Sequence, residues 1–282
     1  MRKLAMQCKA VWMWAFLLLG LPAMSFAGGS TCAAATGLVP DGRVLSLDYV
    51  QPGGTVWYSF GSSSGHSYSV EVRDDLDGNP GGELSFTFYS ANCATQMSGA
   101  SGPPYSANQY RDTSAIEPKV IPNTGMRVSI PNPNSDTIAI KVVNTSTTIG
   151  HYVSASVSDT TLYSTSWSDY SGYNGYFSLV NTTSSPISYT VTLISTFSGS
   201  SKTAPTQVAS ASGTVAAADQ VALNTATGPL AVATQQGGYA LLTQDGPPQA
   251  ISALSAEAVF DTTSPYVGSL SYFPFVAARE KR

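Results

Sequence analysis

The chain has 282 residues, of which only 11% are charged, with 13 Lys and Arg against 17 Asp and Glu. This low charge argues against a disordered chain kept open by self-repulsion. Outside the two ends of the chain, Lys and Arg do not cluster. Because affinity for nucleic acid depends on basic contacts to phosphate, we expect no nucleic-acid partner.

The first 27 residues have the form of a Sec-type signal peptide. A basic start (Arg2, Lys3 and Lys9) precedes an apolar run over 11–21, and small residues at Ser25–Ala27 fit a cleavage site after Ala27. The apolar run is shorter than the ~20 residues that span a bilayer, so we expect no membrane anchor. Cleavage leaves ten Lys and Arg against 17 Asp and Glu, a formal charge of −7. The sequence therefore predicts a secreted protein, released as a soluble chain into the periplasm or outside the cell.

Two cysteines, Cys32 and Cys93, remain after the leader has removed Cys8. An even number of cysteines in an oxidising compartment predicts a disulfide bond between them. In the loop-entropy model a ring of this size stabilises the fold by roughly 4 kcal/mol.

Alternation of apolar and polar residues with a period of two dominates the first half and predicts short strands. Turn sequences rich in Gly, Pro, Asn and Asp separate them, and the tract 94–122 is expected to be a long surface loop with one poor strand. The predicted strands are 43–50, 55–60, 66–73, 83–89, 126–130, 137–143 and 152–157.

The alternation restarts after Asp159–Thr161, where we place a domain boundary. It predicts an all-β protein of two antiparallel β-sandwich domains, jelly-roll-like over 28–160 and immunoglobulin-like over 161–282. The predicted strands of the second domain are 162–167, 175–181, 187–196, 207–215, 220–223, 230–233 and 239–243. The Ala-rich segment 251–260 also fits helical spacing, but its all-β surroundings favour a strand.

Residues 43–157 resemble the bacterial pre-peptidase C-terminal domain, a small jelly-roll-like sandwich attached to many secreted enzymes. An aromatic-rich strand at Thr55–Phe60, a strand at Gly65–Val72 and a closing pair at Thr137–Val143 and Gly150–Val153 carry the resemblance. No peptidase domain precedes the module here, so the resemblance does not imply a role as a peptidase appendage.

The resemblance, combined with the period of two, assigns an inward face to the first sandwich. Its predicted members are Trp57, Phe60, Tyr68, Val70 and Val72. The second half, at Tyr176–Asn181 and Gln244–Gln249, looks like tracts in uncharacterised secreted bacterial proteins, which imply an immunoglobulin-like sandwich and no activity.

The segment Gly61–Gly65 matches the G-x-S-x-G pattern of a serine nucleophile, and His66 follows it. A nucleophile elbow needs a turn from a strand into a helix, whereas here a strand is predicted on either side. We therefore interpret the segment as a hairpin turn. His66 and His151 are the only histidines in the chain and are expected to be surface or sheet residues.

The densest acidic segment suggests a calcium site with Asp74, Asp75, Asp77 and Asn79 as oxygen ligands. Pro80 and Phe86 stand where an EF-hand needs Gly and Glu, so the segment is not an EF-hand. Some relatives of the pre-peptidase domain bind calcium. The alternative is a solvated turn without a cation.

A second cluster interleaves aromatic and small residues between Trp167 and Tyr176. Exposed rings at Trp167, Tyr170 and Tyr173 could stack on the faces of a glycan. In the alternative, Trp167 and Tyr176 belong to the core and the tyrosines between them decorate a loop.

The sequence as a whole favours a secreted, non-catalytic protein that binds an unknown protein or glycan, or acts in adhesion or assembly, at the bacterial surface or in the periplasm. A secreted hydrolase, or a carbohydrate-binding accessory module of one, is the alternative. The seventeen Asp and Glu residues are spread over both predicted sandwiches, so the sequence does not identify two of them as a catalytic pair.

Overall fold

A computed structural model shows an all-β protein built from antiparallel sheets. The two sandwiches that the alternation predicts are present, one in each half of the chain. The structure describes residues 29–43, 46–74, 84–90, 93, 96, 105–106, 124–131, 137–169, 173–233, 235–260 and 267–277. The predicted leader, 1–27, lies outside these residues.

The first sandwich has a jelly-roll topology, as predicted. Four antiparallel pairs are nested within one another along the chain, namely β2 with β9, β3 with β8, β4 with β7 and β5 with β6. Such nesting rolls a long hairpin into two facing sheets, in the orders β2-β9-β4-β7 and β1-β3-β8-β5-β6. The strands are β1 (Thr36–Gly37), β2 (Ser46–Val50), β3 (Thr55–Gly61), β4 (Ser67–Asp74), β5 (Leu84–Ser90), β6 (Tyr105–Ser106), β7 (Thr124–Pro131), β8 (Thr137–Asn144) and β9 (His151–Asp159).

The core of this sandwich corrects one predicted inward residue, Trp57. On β3 every second residue is buried, and the buried set consists of Val56, Tyr58 and Phe60. Trp57 has the opposite parity, so its ring lies on the outer face, with the Lys141 ammonium 5.7 Å from the ring centroid. The other predicted inward residues, Phe60, Tyr68, Val70 and Val72, are in the core.

The second sandwich has sheets in the orders β13-β12-β15-β10-β18 and β14-β11-β16-β17. Its second strand, β11, pairs with the fifth, β14, and its third, β12, pairs with the sixth, β15, as the corresponding strands do in an immunoglobulin sandwich. β11 also pairs with β16 on its other side. The strands are β10 (Leu162–Asp169), β11 (Tyr173–Asn181), β12 (Ile187–Ser198), β13 (Ser201–Val215), β14 (Gln220–Asn224), β15 (Gln236–Gln244), β16 (Ile251–Phe260), β17 (Val267–Pro274) and β18 (Val276–Ala277).

Two local predictions in this half have opposite outcomes. The Ala-rich segment Ile251–Phe260 is a strand, as its surroundings suggested, because it pairs with β11 on one side and β17 on the other. The predicted strand at 230–233 is wrong. The chain there forms a short 3-10 turn, Gly228–Leu230, whose Leu230 side chain is fully buried in the core.

A buried asparagine, Asn144, fixes the point where the first sandwich passes from β8 to β9 in the opposite sheet. Its side-chain amide donates to the carbonyls of Val50 (3.1 Å), Gln51 (3.1 Å) and Ile149 (2.8 Å). Its Oδ1 accepts the Ser146 N–H at 2.9 Å. Asn144 thus satisfies backbone groups that the end of the strand would otherwise leave without partners.

Asn181 performs the same task in the second sandwich, where the chain passes from β11 to β12. Its amide donates to the carbonyls of Ser185 (2.7 Å), Ala216 (3.0 Å) and Val215 (3.2 Å). Its Oδ1 accepts the Thr183 N–H at 2.8 Å. Both asparagines are almost completely buried.

A short sequence repeat marks these two corners. Val-Asn-Thr-Ser at 143–146 and Val-Asn-Thr-Thr at 180–183 each lie at a strand end, and a tyrosine follows each asparagine by the same interval, at Tyr152 and Tyr189. In both sandwiches, therefore, the same short sequence forms the connection at which the chain passes from one sheet to the other.

Replacing either asparagine by alanine should therefore destabilise the protein strongly. We expect Asn144→Ala and Asn181→Ala each to reduce the free energy of unfolding by about 2–3 kcal/mol, because several buried carbonyls lose their donors. Equilibrium unfolding in urea measures this, with Ser252→Ala, at an exposed position of β16, as the control. A loss below about 0.5 kcal/mol, the usual range for surface substitutions, would show that the corners close without these side chains.

Candidate functional site at the junction of the two sandwiches

The chain passes from the first sandwich to the second within a few residues, and His66 lies at this crossing. Its Nδ1 is 2.7 Å from Oδ2 of Asp159, the last residue of β9, and its Nε2 is 2.8 Å from the hydroxyl of Tyr163 on β10. Nδ1 faces a carboxylate and therefore donates to Asp159, while Nε2 and the Tyr163 hydroxyl share the second hydrogen bond. One imidazole thus bonds both sandwiches.

Ser67, the next residue, is fully buried and adds further bonds at the junction. Its N–H donates to Thr161 Oγ1 at 2.9 Å, its carbonyl accepts the Thr160 N–H at 2.8 Å, and its hydroxyl lies 2.9 Å from Thr160 Oγ1. From the second sandwich, the N–H of Gln244 donates to the Ser67 hydroxyl at 3.2 Å. We call His66, Ser67, Asp159, Tyr163 and Gln244 the junction cluster.

Burial and charge both act on Tyr163 within the cluster. Desolvation, and then the nearby Asp159 carboxylate, raise the pKa of Tyr163 from 10.0 to about 12. The Asp159 side chain is only 2% exposed, and that of His66 is 19% exposed. The cluster is therefore a largely desolvated link in which the Tyr163 hydroxyl keeps its proton throughout the physiological pH range.

The serine-rich segment Gly61–Gly65 runs from β3 in one sheet to β4 in the opposite sheet. It is therefore a connection between sheets rather than the hairpin turn that we predicted, because β3 and β4 do not pair. The next regular element is the strand β4, which begins at Ser67. Ser63 donates its N–H to the Tyr68 hydroxyl at 2.8 Å. The segment thus places His66 at the junction.

The predicted cysteine pair lies together. A disulfide bond joins Cys32 to Cys93, with the two Cα atoms 6.3 Å apart. The segment around Cys32 is also bonded to β3, since the Trp57 N–H donates to the Gly29 carbonyl at 2.8 Å and the Leu38 N–H to the Ser59 carbonyl at 2.7 Å. The start of the described chain is therefore fastened to the first sandwich.

The predicted calcium ligands fall mostly outside the described residues. Asp74 is the last residue of β4, whereas Asp75, Asp77 and Asn79 are not described. In the part of the chain that the structure describes, no three His, Cys, Asp or Glu side chains are grouped as metal ligands would be. The calcium site stays a prediction.

The structure corrects the glycan-stacking hypothesis at Trp167. Its side chain is 1% exposed, and its indole N–H donates to the carbonyls of Tyr239 (3.0 Å) and Ile194 (3.3 Å). Trp167 therefore belongs to the core and cannot stack on a bound sugar. Tyr173 is half-buried at the start of β11, and Tyr170 lies outside the described residues.

Burial also affects Asp169, at the end of β10 beside this aromatic segment. Desolvation raises the pKa of its carboxyl, and a hydrogen bond from Thr225 acts in the opposite direction. Thr225, which is fully buried, also accepts the Gly175 N–H at 2.9 Å. These contacts fasten β10 and β11 at this end of the second sandwich.

A shallow groove of about 370 Å³ lies on the second sandwich. Besides Tyr189, five of its lining residues have hydroxyl or carboxylate side chains. These residues are Ser188, Thr190, Ser212, Thr243 and Asp245. Sequence reasoning did not single out this groove, because Ser and Thr occur throughout the solvent faces.

Comparison with known proteins does not place the chain in a family. No protein-family model and no curated protein matches it. Among solved structures, the full extracellular region of zebrafish Gpr126/Adgrg6 is similar with a TM-score of 0.27 and 7% sequence identity, over 86% of this chain and 33% of that chain. The chain thus spans about one third of that region. No described residues form a helix long and apolar enough to cross a membrane.

The pKa of Tyr163 predicts a loss of stability in alkali. Below pH 10 the tyrosine is protonated in both the folded and the unfolded chain. Between pH 10 and about pH 12 the unfolded chain loses this proton while the folded chain keeps it, so the free energy of unfolding falls as the pH rises. The Tyr163→Phe variant lacks this contribution and should show a shallower fall, measured by urea unfolding across this range.

Tyr272→Phe, at a tyrosine that is 59% exposed, is the control for this experiment and should follow the wild type. If wild type and Tyr163→Phe lost stability in parallel between pH 10 and pH 12, the junction would be more open to water than the structure shows.

Reduction of the disulfide should also weaken the fold. In the loop-entropy model a cross-link spanning 61 residues stabilises by roughly 4 kcal/mol. Thermal unfolding with and without reductant should show a lower melting temperature for the reduced protein, and the Cys32→Ser/Cys93→Ser variant should melt at the lower temperature in both buffers. Identical melting of all samples would contradict a structural role for this bond.

Proposed function

We propose that the chain is a secreted, non-catalytic β-sandwich protein that serves binding, adhesion or structure at the bacterial cell surface or in the periplasm. The junction cluster carries this proposal. Side-chain and backbone hydrogen bonds cross directly from one sandwich to the other, so the two present their surfaces in a fixed relation. A fixed pair of sandwiches suits a module that holds ligands or partners in position.

The use of the histidines supports a non-catalytic role. A serine or cysteine nucleophile needs a base, most often histidine, and this chain has two. His66 is engaged on both ring nitrogens by Asp159 and Tyr163, and His151 is 1% exposed within β9. Both histidines therefore have structural roles, and a substrate could reach them only by displacing contacts within the protein.

The disulfide supports an oxidising location. Bonds of this kind persist outside the cytoplasm and are rare within it. The signal-peptide pattern over 1–27 points the same way. Both observations support a periplasmic or extracellular destination.

The hydroxyl-lined groove favours a second candidate, a carbohydrate-binding accessory module. Serine and threonine hydroxyls both donate and accept hydrogen bonds, and the Asp245 carboxylate accepts them, which suits a polyhydroxylated ligand. Thr190 and Ser212 already bond one another across the strands at 2.8 Å, so a sugar in this groove would have to share that pair.

A binding experiment separates these functions. The secreted protein is incubated with the envelope fraction of the cells that produce it, with purified polysaccharides, and with ester, peptide and glycoside substrates. The proposal predicts saturable binding to the envelope fraction without turnover of any substrate. Binding to a polysaccharide that Ser212→Leu abolishes, while the exposed Ser252→Leu does not, would favour the accessory module instead.

Turnover that survives repurification and is lost in His66→Ala would overturn the non-catalytic proposal. A His66→Gln variant is the matched control, because an amide can still hydrogen-bond to Asp159 or Tyr163 but cannot act as a general base.

A further inference from the structure

The start of the described chain, residues 29–37, covers one edge of β3, and we call it the strap. Its Gly29 carbonyl accepts the Trp57 N–H at 2.8 Å. The strand β1, within the strap, pairs in parallel with Tyr58 and Ser59. β3 pairs with β8 on its other side, and among the described strands only β1 lies along this edge. The strap therefore occupies backbone groups that an open edge would offer to another chain.

The strap has little hydrophobic contact with the sandwich. No side chain between residues 30 and 37 is buried, and core packing begins only at Leu38, whose side chain is 5% exposed. A segment held by backbone hydrogen bonds, without buried apolar side chains, has low local stability. The covalent tie between the strap and the sandwich is the disulfide bond from Cys32 to Cys93, which follows β5.

Cys93 is held in a backbone conformation that few side chains adopt. Its φ is 55°, in the left-handed region that favours glycine. A residue keeps such a conformation only where its surroundings impose it. Both Cys32 and Cys93 are also partly exposed to solvent. The bond is therefore within reach of a reductant, and its reduction would let both the strap and Cys93 relax.

We propose that the Cys32–Cys93 bond is a redox latch for the strap. While the bond is intact, the strap covers the edge of β3. When a dithiol reduces the bond, the strap leaves that edge, pivoting at Leu38, while both sandwiches stay folded. The Trp57 N–H then faces solvent. The exposure of a sheet edge thus depends on the redox conditions around the protein, whatever ligand the protein binds.

The opening step is thiol–disulfide exchange with a dithiol. One thiolate of the dithiol attacks a cysteine sulfur, which breaks the Cys32–Cys93 bond and forms a mixed disulfide. The second thiolate then attacks the mixed disulfide and releases that cysteine. The two cysteines gain two electrons and two protons, all supplied by the dithiol, which becomes a disulfide. An oxidised dithiol of this class closes the latch by the reverse sequence.

Two neighbouring amides of β3 report separately on the strap and on the rest of the sandwich. Successive residues of a strand direct their N–H groups to opposite sides. Because the Trp57 N–H donates to the strap, the Tyr58 N–H faces β8, where Tyr58 pairs with Ile140. Opening of the strap alone exposes the first amide, whereas unfolding of the sandwich exposes both.

Amide hydrogen exchange of the purified protein, measured by NMR with and without dithiothreitol, tests the proposal. Reduction should raise the ratio of the Trp57 exchange rate to the Tyr58 exchange rate at least ~10-fold, because the strap opens without unfolding of the sandwich. The Cys32→Ser/Cys93→Ser variant should have the high ratio in both buffers. Reoxidation of the wild type should restore the low ratio.

Asn144→Ala is the matched control, since it destabilises the first sandwich and leaves the disulfide intact. It should not raise the ratio. A ratio that reduction leaves unchanged would overturn the proposal, because the bond would then act on the stability of the whole sandwich or not be needed to hold the strap. Loss of the β-sheet circular dichroism signal on reduction would also overturn it, since the latch requires both sandwiches to stay folded.

Discussion

Buried backbone groups at the places where the chain leaves a sheet are the constraint on which this structure depends. A jelly roll crosses repeatedly between its sheets, and each crossing ends a ladder of hydrogen bonds inside the protein. An unpaired carbonyl there would cost a free energy comparable to a lost hydrogen bond. Asn144 and Asn181 hydrogen-bond to such backbone groups within their own sandwiches, and Ser67 does so at the junction between the sandwiches.

At the junction between the sandwiches, polar groups are also satisfied by hydrogen bonds. Thr160 and Thr161 follow the last strand of the first sandwich, and both bond to Ser67 at the start of β4. The bond from Gln244 and the His66–Tyr163 contact then add the second sandwich to this network. Because His66 and Ser67 bond both to the residues that end the first sandwich and to Tyr163 and Gln244 of the second, the relative placement of the sandwiches is part of the fold.

The period-two alternation was sufficient to predict the fold class and most strands, and the cysteine count was sufficient to predict the disulfide partners. The alternation failed at Leu230, where an apolar residue enters the core from a 3-10 turn rather than a strand. Trp57 was assigned to the core because it is aromatic. Along β3, however, the buried residues alternate with residues on the outer face, and Trp57 is one of the latter. Residue type alone does not determine which face a side chain occupies.

The junction cluster was beyond prediction from the sequence, for a physical reason. His66 and Asp159 are 93 residues apart, and their contact depends on how β4 and β9 pair in the sheet. The asparagine corners, by contrast, had a local signal in the repeated Val-Asn-Thr sequence followed by tyrosine. An asparagine that recurs in the same short sequence at two strand ends can be recognised from the sequence as a structural residue. The residues of a binding surface are not marked by such a repeated local sequence.

Measurement of residual dipolar couplings for backbone amides tests most directly whether the two sandwiches form one fixed unit. The couplings of residues 36–159 and those of residues 162–277 are fitted separately to the structure in a weakly aligning medium. A fixed junction predicts the same alignment tensor, in magnitude and orientation, for both sets. Two clearly different tensors would show that the sandwiches move independently and would contradict a junction cluster that fixes their relative placement.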